Sequence, residues 1–303
     1  MNIHAKKWII AAVILVVVGA LVFLAAFAAM GFDFSKISIR EYRTNSYEIK
    51  EDFNRIKIDA SEAKVLFNLS YDGTCRVECQ ESKDESYQVR VENGLLVIES
   101  QDNRRWYDSV VDFNTRSGVV NVYLPKSSYD ILEIETSVGD VEVPESLNFR
   151  KIDISCDVGS VYCKAVASDL LEINTNIGDV NLEGIKTDGN IQVESSTGDI
   201  TLKDVKATSL NVEAEIGDVR LENVITSGRF LVTTETGSVI LNGCDGSSIY
   251  IETDIGDVSG TLLSEKIIFA QSQIGDIKVP MSTTGGPCEI HTGTGDIEIK
   301  FGR

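Results

Sequence analysis

Seven aspartates each follow a glycine and precede an aliphatic residue: Asp140, Asp179, Asp199, Asp218, Asp257, Asp276 and Asp296. Carboxylates recurring in this way can do three kinds of chemistry. They can ligate a hard cation such as calcium, with oxygens from neighbouring copies. A close pair can work as general acid and base on a polysaccharide. They can also accept hydrogen bonds from backbone N–H groups and so close a turn. The substitutions favour the third use. Ser160 and Ser238 stand where two further aspartates would fall, and serine keeps the hydrogen bond while dropping the charge. The GGxGxDxUx calcium repeat is absent, so the cation ladder is the secondary reading and no metal site is assigned. A catalytic site should interrupt a repeat, and no copy stands out in that way. GxSxG, a Cys/His pair and a phosphate loop are all missing. The expectation is a protein that is not an enzyme, with no catalytic residues and no cofactor. A β-helix enzyme acting on polysaccharide is the class this displaces.

The elements that carry these aspartates form an internal repeat. Its glycines are Gly139, Gly159, Gly178, Gly198, Gly217, Gly237, Gly256, Gly275 and Gly295, spaced 19 or 20 residues apart. Seven and five residues before each glycine the side chain is apolar, as at Leu132 and Ile134 or Phe230 and Val232. Three before it stands a small residue, mostly Thr or Ser, and two and four after it stand aliphatics such as Val219 and Leu221. The positions between are mostly Glu, Asp, Asn, Gln and Lys. The alternation has a period of two and changes parity at the glycine, so the chain bends there and resumes on the same face. Each copy reads as two short strands and two turns. One copy cannot bury its own apolar face, whereas stacked copies build a continuous core. The predicted fold is therefore all-β: a single-stack β-helix, or solenoid, of about nine 19–20-residue coils over residues 131–303. The pattern leaves the hand of the coil open. Gly260 departs from it by standing where an inward aliphatic belongs.

Residues 46–130 predict a strand-rich N-terminal cap. Ile56, Ile58 and Ala60, then Val65, Phe67 and Leu69, alternate, and Asn93-Gly94 between Val91 and Leu95 marks a two-residue hairpin. Val119–Leu124 is a further strand, stopped by Pro125. Trp106 lies in a polar loop and reads as packing on a sheet edge or, alternatively, as a binding aromatic. Further upstream, Trp8–Met30 is 23 residues without a charged or strongly polar side chain. As a helix this spans about 34 Å, enough to cross a bilayer. Lys6 and Lys7 precede it, which puts residues 1–7 in the cytoplasm and the chain after Met30 outside. The run is longer than the apolar core of a cleaved signal peptide. An uncleaved single-pass anchor at 8–30 with a spacer at 31–45 is expected.

These segments resemble a known group, the bacterial "putative adhesin" family of membrane-anchored β-solenoid proteins. The likeness is carried by Val91-Glu-Asn-Gly-Leu-Leu-Val97, by Val119-Val-Asn-Val-Tyr123 through Leu124-Pro125, and by Leu132-Glu-Ile-Glu-Thr-Ser-Val-Gly-Asp-Val141 with its later copies. It covers about residues 45–300. It implies an envelope protein of a bacterial cell surface, with adhesion or envelope interaction as its role. Regulation or scaffolding linked to envelope stress is the alternative.

Composition agrees with this. Net charge is −19, and residues 131–303 hold 29 acidic and 12 basic side chains, a balance of −17. Such a surface repels phosphate backbones, so nucleic acid is excluded as a partner. Of the six cysteines, Cys75 and Cys79 are too far apart along one strand to bridge. Cys156, Cys163 and Cys288 fall on inward columns, so most are expected to act as buried small hydrophobes. The chain stops just after the ninth coil, at Phe301-Gly302-Arg303. That end of the solenoid lacks a cap, unless Phe301 covers it. A partner or a second copy is expected to pair with it. Other ligands, whether a surface protein or a polysaccharide, are not specified.

Overall fold

In the computed structural model, residues 15, 16, 18, 19, 42–82, 85–102 and 118–302 are described. The expected anchor at Trp8–Met30 lies outside them, apart from Leu15, Val16, Val18 and Gly19, which are helical. Among the described residues no helix is long and apolar enough to cross a membrane. Trp106 also lies outside them.

Residues 42–82, 85–102 and 118–302 are all strand, turn and loop. The N-terminal segment holds β1 (Arg43–Ile49), β2 (Arg55–Leu69), β3 (Cys75–Glu81), β4 (Glu85–Glu92), β5 (Leu95–Asp102) and β6 (Gly118–Leu124). The β4–β5 hairpin turns at Asn93-Gly94, both with positive φ, as the dipeptide predicts. The nine glycine-bearing coils then build two walls. Wall 1 contains β7 (Ser128–Val138), β9 (Asn148–Val158), β11 (Val166–Ile177), β13 (Asn190–Thr197), β16 (Ser209–Ile216), β19 (Arg229–Thr236), β21 (Ser248–Ile255), β23 (Lys266–Ile274) and β25 (Gly286–Thr294). Wall 2 contains β8 (Val141–Val143), β10 (Val161–Cys163), β12 (Val180–Glu183), β14 (Ile200–Lys203), β17 (Val219–Glu222), β20 (Val239–Cys244), β22 (Val258–Leu262), β24 (Ile277–Lys278) and β26 (Ile297–Phe301). Pairing between coils is parallel and in register, so each inward column stacks on itself, as Ile191↔Leu210↔Phe230↔Ile249 shows. The core is the strip of Val, Ile, Leu and Phe enclosed between the walls.

The fold departs from the expected one at several points. Four successive coils have a third short side rather than a plain second turn. Ile185, Val205, Val224 and Cys244, seven residues after their glycines, are buried there. The two-residue strands β15 (Lys206–Ala207) and β18 (Ile225–Thr226) pair on this side. A wedge opening between two walls must be filled, and this column fills it. Gly260 keeps its place opposite Leu241 without filling the inward column, and the next inward aliphatic, Leu262, stands opposite Cys244. The register slips between Leu241 and Cys244, and Leu262 turns inward, fully buried.

The largest departure is in the order of the layers. At the N-terminal end β2 is itself a layer of both walls, lying between β5/β6 on one side and β7/β8 on the other. The outer flank is closed by antiparallel strands, β4 on β5 and β3 on β6, with β1 on β3. At the other end the last coil in sequence is not the last in space. β25 and β26 insert between β21/β22 and β23/β24. The expectation that Phe301 closes the rod is therefore corrected. Phe301 pairs with Leu262 inside the stack, and the terminal layer is Lys266–Lys278. Among the described residues the terminal layer has neighbours on one side, so Ile277 is exposed although its column is inward elsewhere. Lys266 pins this layer. Its buried ammonium lies 2.6 Å from Asp245, whose Oδ1 also accepts from Ser264 Oγ.

Candidate interaction surface

The Gly-Asp corner is built from three columns acting together. At the nine glycines φ lies between +142° and +159°. A Cβ on eight of them would meet the carbonyl oxygen of the neighbouring coil's glycine at 1.9–2.4 Å, and on Gly139 that of Ala63 at 2.2 Å. Both conformation and stacking thus demand glycine. Inside the corner, Thr175, Ser195, Thr234 and Thr253 donate through their hydroxyls to the preceding layer's glycine carbonyl. Ser272 and Thr292 do the same to Gly295 and Gly256.

Outside the corner runs an acceptor ladder. Asp140 Oδ1 accepts from the Ser160 amide, Ser160 Oγ from Asp179, Asp179 from Asp199, and Asp199 from Asp218. Asp218 accepts from Ser238, Ser238 from Asp257, Asp257 from Asp296 and Asp296 from Asp276, all at 2.7–3.4 Å. The bonds run between coils rather than closing each turn on itself. One oxygen of each accepting carboxylate is committed to a neighbouring amide. Burial raises the Asp199 carboxyl, but the Arg220 guanidinium and the Asp218 amide outweigh it and hold it below its ordinary value. Among the described residues no group of three or more His, Cys, Asp or Glu side chains is placed to hold a metal ion.

The outer face of wall 1 offers one contact surface. A shallow groove of about 390 Å³ crosses five coils and is lined by Asn174, Glu194, Glu213, Glu235, Glu252 and Asp254 among others. Parallel register puts Glu194 directly beside Glu213, and no cation lines the groove. At its far end His291 packs between Tyr250 and Phe269, with ring centroids 5.7 and 5.8 Å apart. The insertion of β25 makes this aromatic group. A second hollow, of about 440 Å³, lies between the β2–β3 turn and Pro144–Ser146. There the Arg76 guanidinium sits 4.6 Å over the Tyr123 ring, and Tyr71 is exposed.

A family model described as Toastrack DUF4097 matches residues 53–241 and 187–303. The chain belongs to the Toastrack DUF4097 family. Solved structures share the fold. A putative adhesin from Parabacteroides merdae is 15% identical, with a TM-score of 0.54 over 86% of this chain and 96% of that one. A putative lipid binding protein from Parabacteroides distasonis is 14% identical, with a TM-score of 0.53 over 85% and 97%. A putative adhesin from the same species is 12% identical, with a TM-score of 0.50 over 86% and 97%. At these identities the likeness concerns the fold. No curated protein matches the chain.

Two features of this Toastrack chain escape the expected columns. The residue before each glycine is Val, Ile or Thr in all nine coils, and Val138, Val158, Ile177, Ile216, Ile255 and Ile274 form an exposed ridge. The β-branched restriction was the available signal. Six residues after four of the glycines, Gly184, Asp204, Asn223 and Gly243 all have positive φ. Gly, Asn and Asp are the residues that tolerate it. All six cysteines are free and buried.

Proposed function

We propose that this Toastrack protein is a non-enzymatic surface module that binds its partner through the outer face of wall 1. The carrying observation is the unbroken wall itself. From Gly139 to Gly295 the corner repeats in every coil, and the acidic groove runs across five of them without an interruption that could house a reaction. A carboxylate- and amide-lined surface without cations suits a basic protein segment or a polyhydroxylated polymer. The adhesin names of structural neighbours agree with this reading.

The proposed arrangement has residues 1–7 in the cytoplasm, a membrane helix at 8–30, a spacer at 31–45, a cap over 46–130 and the coils of 131–303 outside the cell. The length and apolar character of 8–30, behind Lys6 and Lys7, support it. A regulatory or scaffolding role toward other envelope proteins is the second reading, favoured by the same anchor, which holds the solenoid close to the membrane.

The test is capture with the chain on intact cells, against immobilised polysaccharides and matrix proteins, and separately against the detergent-solubilised envelope of the same cells, with and without calcium. Retention of outside polymers or proteins supports the adhesin reading. Retention solely of the cell's own membrane proteins contradicts it and supports scaffolding.

A further inference from the structure

The terminal layer of the solenoid has an open edge. Among the described residues β23 pairs with β25 alone and β24 with β26 alone, so their outer N–H and C=O groups face no strand. Exposed edges are normally protected by charge, proline or a covering element. The opposite end has such protection in its antiparallel strands. This end does not. From Ile267 to Ile274 the sequence is IIFAQSQI, without a charged residue, and the one charge of β23, Lys266, is buried against Asp245. Every other solenoid strand of wall 1 carries at least one acidic side chain. Phe269 is 60% exposed, Ile267 52% and Ile274 68%. The Asp ladder stops here as well. Asp276 donates its amide to Asp296, and no further layer follows to donate to its own carboxylate.

We propose that this edge pairs with the same edge of a second copy, β23 against β23 in antiparallel fashion about a two-fold axis near Ala270. Charge selects this occupant. Two chains of net charge −19 repel along their walls, and β23 is the neutral strand through which they can approach. About Ala270, Phe269 faces Gln271 and Ile267 faces Gln273 of the other copy, so no like charges meet within the strand. Such an interface is isologous and closes at two copies, which leaves both acidic grooves free.

The test uses the full-length chain in detergent micelles, by analytical ultracentrifugation. Dimers are expected with a dissociation constant on the order of 10 µM, as for a small interface. The double variant Phe269→Glu/Gln271→Glu changes two exposed side chains and places a carboxylate at 269 opposite one at 271 of the other copy, twice. It should weaken the dimer about a hundredfold. Independently, Ala270→Cys should give a disulfide-linked dimer on mild oxidation, since the six native thiols are buried. Thr233→Cys, in the mid-rod groove, should not. A monomer at all concentrations, a dimer indifferent to the double variant, or cross-linking at 233 and not at 270 would overturn the proposal. So would β23 being occupied by a different envelope protein.

Discussion

Gly217→Ala probes the corner that defines the fold. Gly217 has φ +153° and its added Cβ would sit 2.0 Å from the Gly198 carbonyl oxygen. Ordinary contact begins near 3.4 Å, so the two layers must part by more than 1 Å or the chain must rotate. Parting strains the bonds from the Gly198 amide to Ile216, from the Ile200 amide to Asp218 and from the Asp218 amide to Asp199, now 2.9–3.0 Å long. Loss of two or three such bonds costs about 1 kcal/mol each. The disfavoured backbone region adds roughly 1–3 kcal/mol. The sum is about 3–6 kcal/mol. Gly184→Ala is the control. Gly184 also has positive φ, +74°, but no atom lies within 4 Å of its Cβ position. It should cost about 1–2 kcal/mol, the left-handed penalty alone. Urea denaturation of residues 34–303, followed by circular dichroism and tryptic cleavage, measures both. Equal losses at the two positions, or a Gly217→Ala cost under about 1 kcal/mol, would refute the stacking argument.

Asp199→Ala removes the acceptor for Asp218 and the partner of Arg220, and should lower stability by about 1–2 kcal/mol in the same urea assay. Asp199→Ser should recover about half, because Ser160 and Ser238 make this bond natively. Asp245→Ala leaves the Lys266 ammonium buried without its partner and should cost about 3 kcal/mol. Hydrogen exchange should show the loss first in β23. Acid should destabilise the fold below about pH 4. Asp199, Asp245 and Glu183 have carboxyls held below their ordinary values. In Asp245 burial opposes the shift, and bonds from Lys266 and Ser264 outweigh it; in Glu183 the bond from Lys164 leads. Their stabilisation is complete above the unfolded pKa and disappears as pH falls through the folded one. Asp59, pushed up by burial and then by Glu135 and Glu99, acts in the opposite sense and softens the loss. A flat acid titration of stability would contradict this.

The walls were legible because burial imposes a strict period. The positions of Leu210, Val212, Val219 and Leu221 stay inward from coil to coil for one reason, parallel stacking, with Gly260 the departure, so the inward columns and the corner glycines could be read directly. The third side was overlooked because its signal is a single column, Ile185, Val205, Val224 and Cys244, in a stretch of turn residues. The coil exchange at the end left no trace in spacing. Gly256, Gly275 and Gly295 keep the 19–20-residue rhythm, since moving one layer along the rod requires no extra chain. Its marks are chemical: a strand without charge at 267–274, a buried Lys266, and the prolines Pro280 and Pro287 around the return. The acidic groove follows from register, which sequence pattern implied, but the aromatic group of Tyr250, His291 and Phe269 depends on the exchange and could not be anticipated.

Surface binding through wall 1 is tested most directly by Glu194→Gln/Glu213→Gln/Glu252→Gln. These groove carboxylates lie outside the corner ladder, so the fold should stand. Cells displaying the full-length chain would be compared with cells displaying the variant for retention on immobilised polysaccharides and matrix proteins. Retention that falls at least about tenfold, a free-energy change of about 1.4 kcal/mol, with urea stability unchanged, is the predicted result. Retention that persists undiminished in the variant would contradict it.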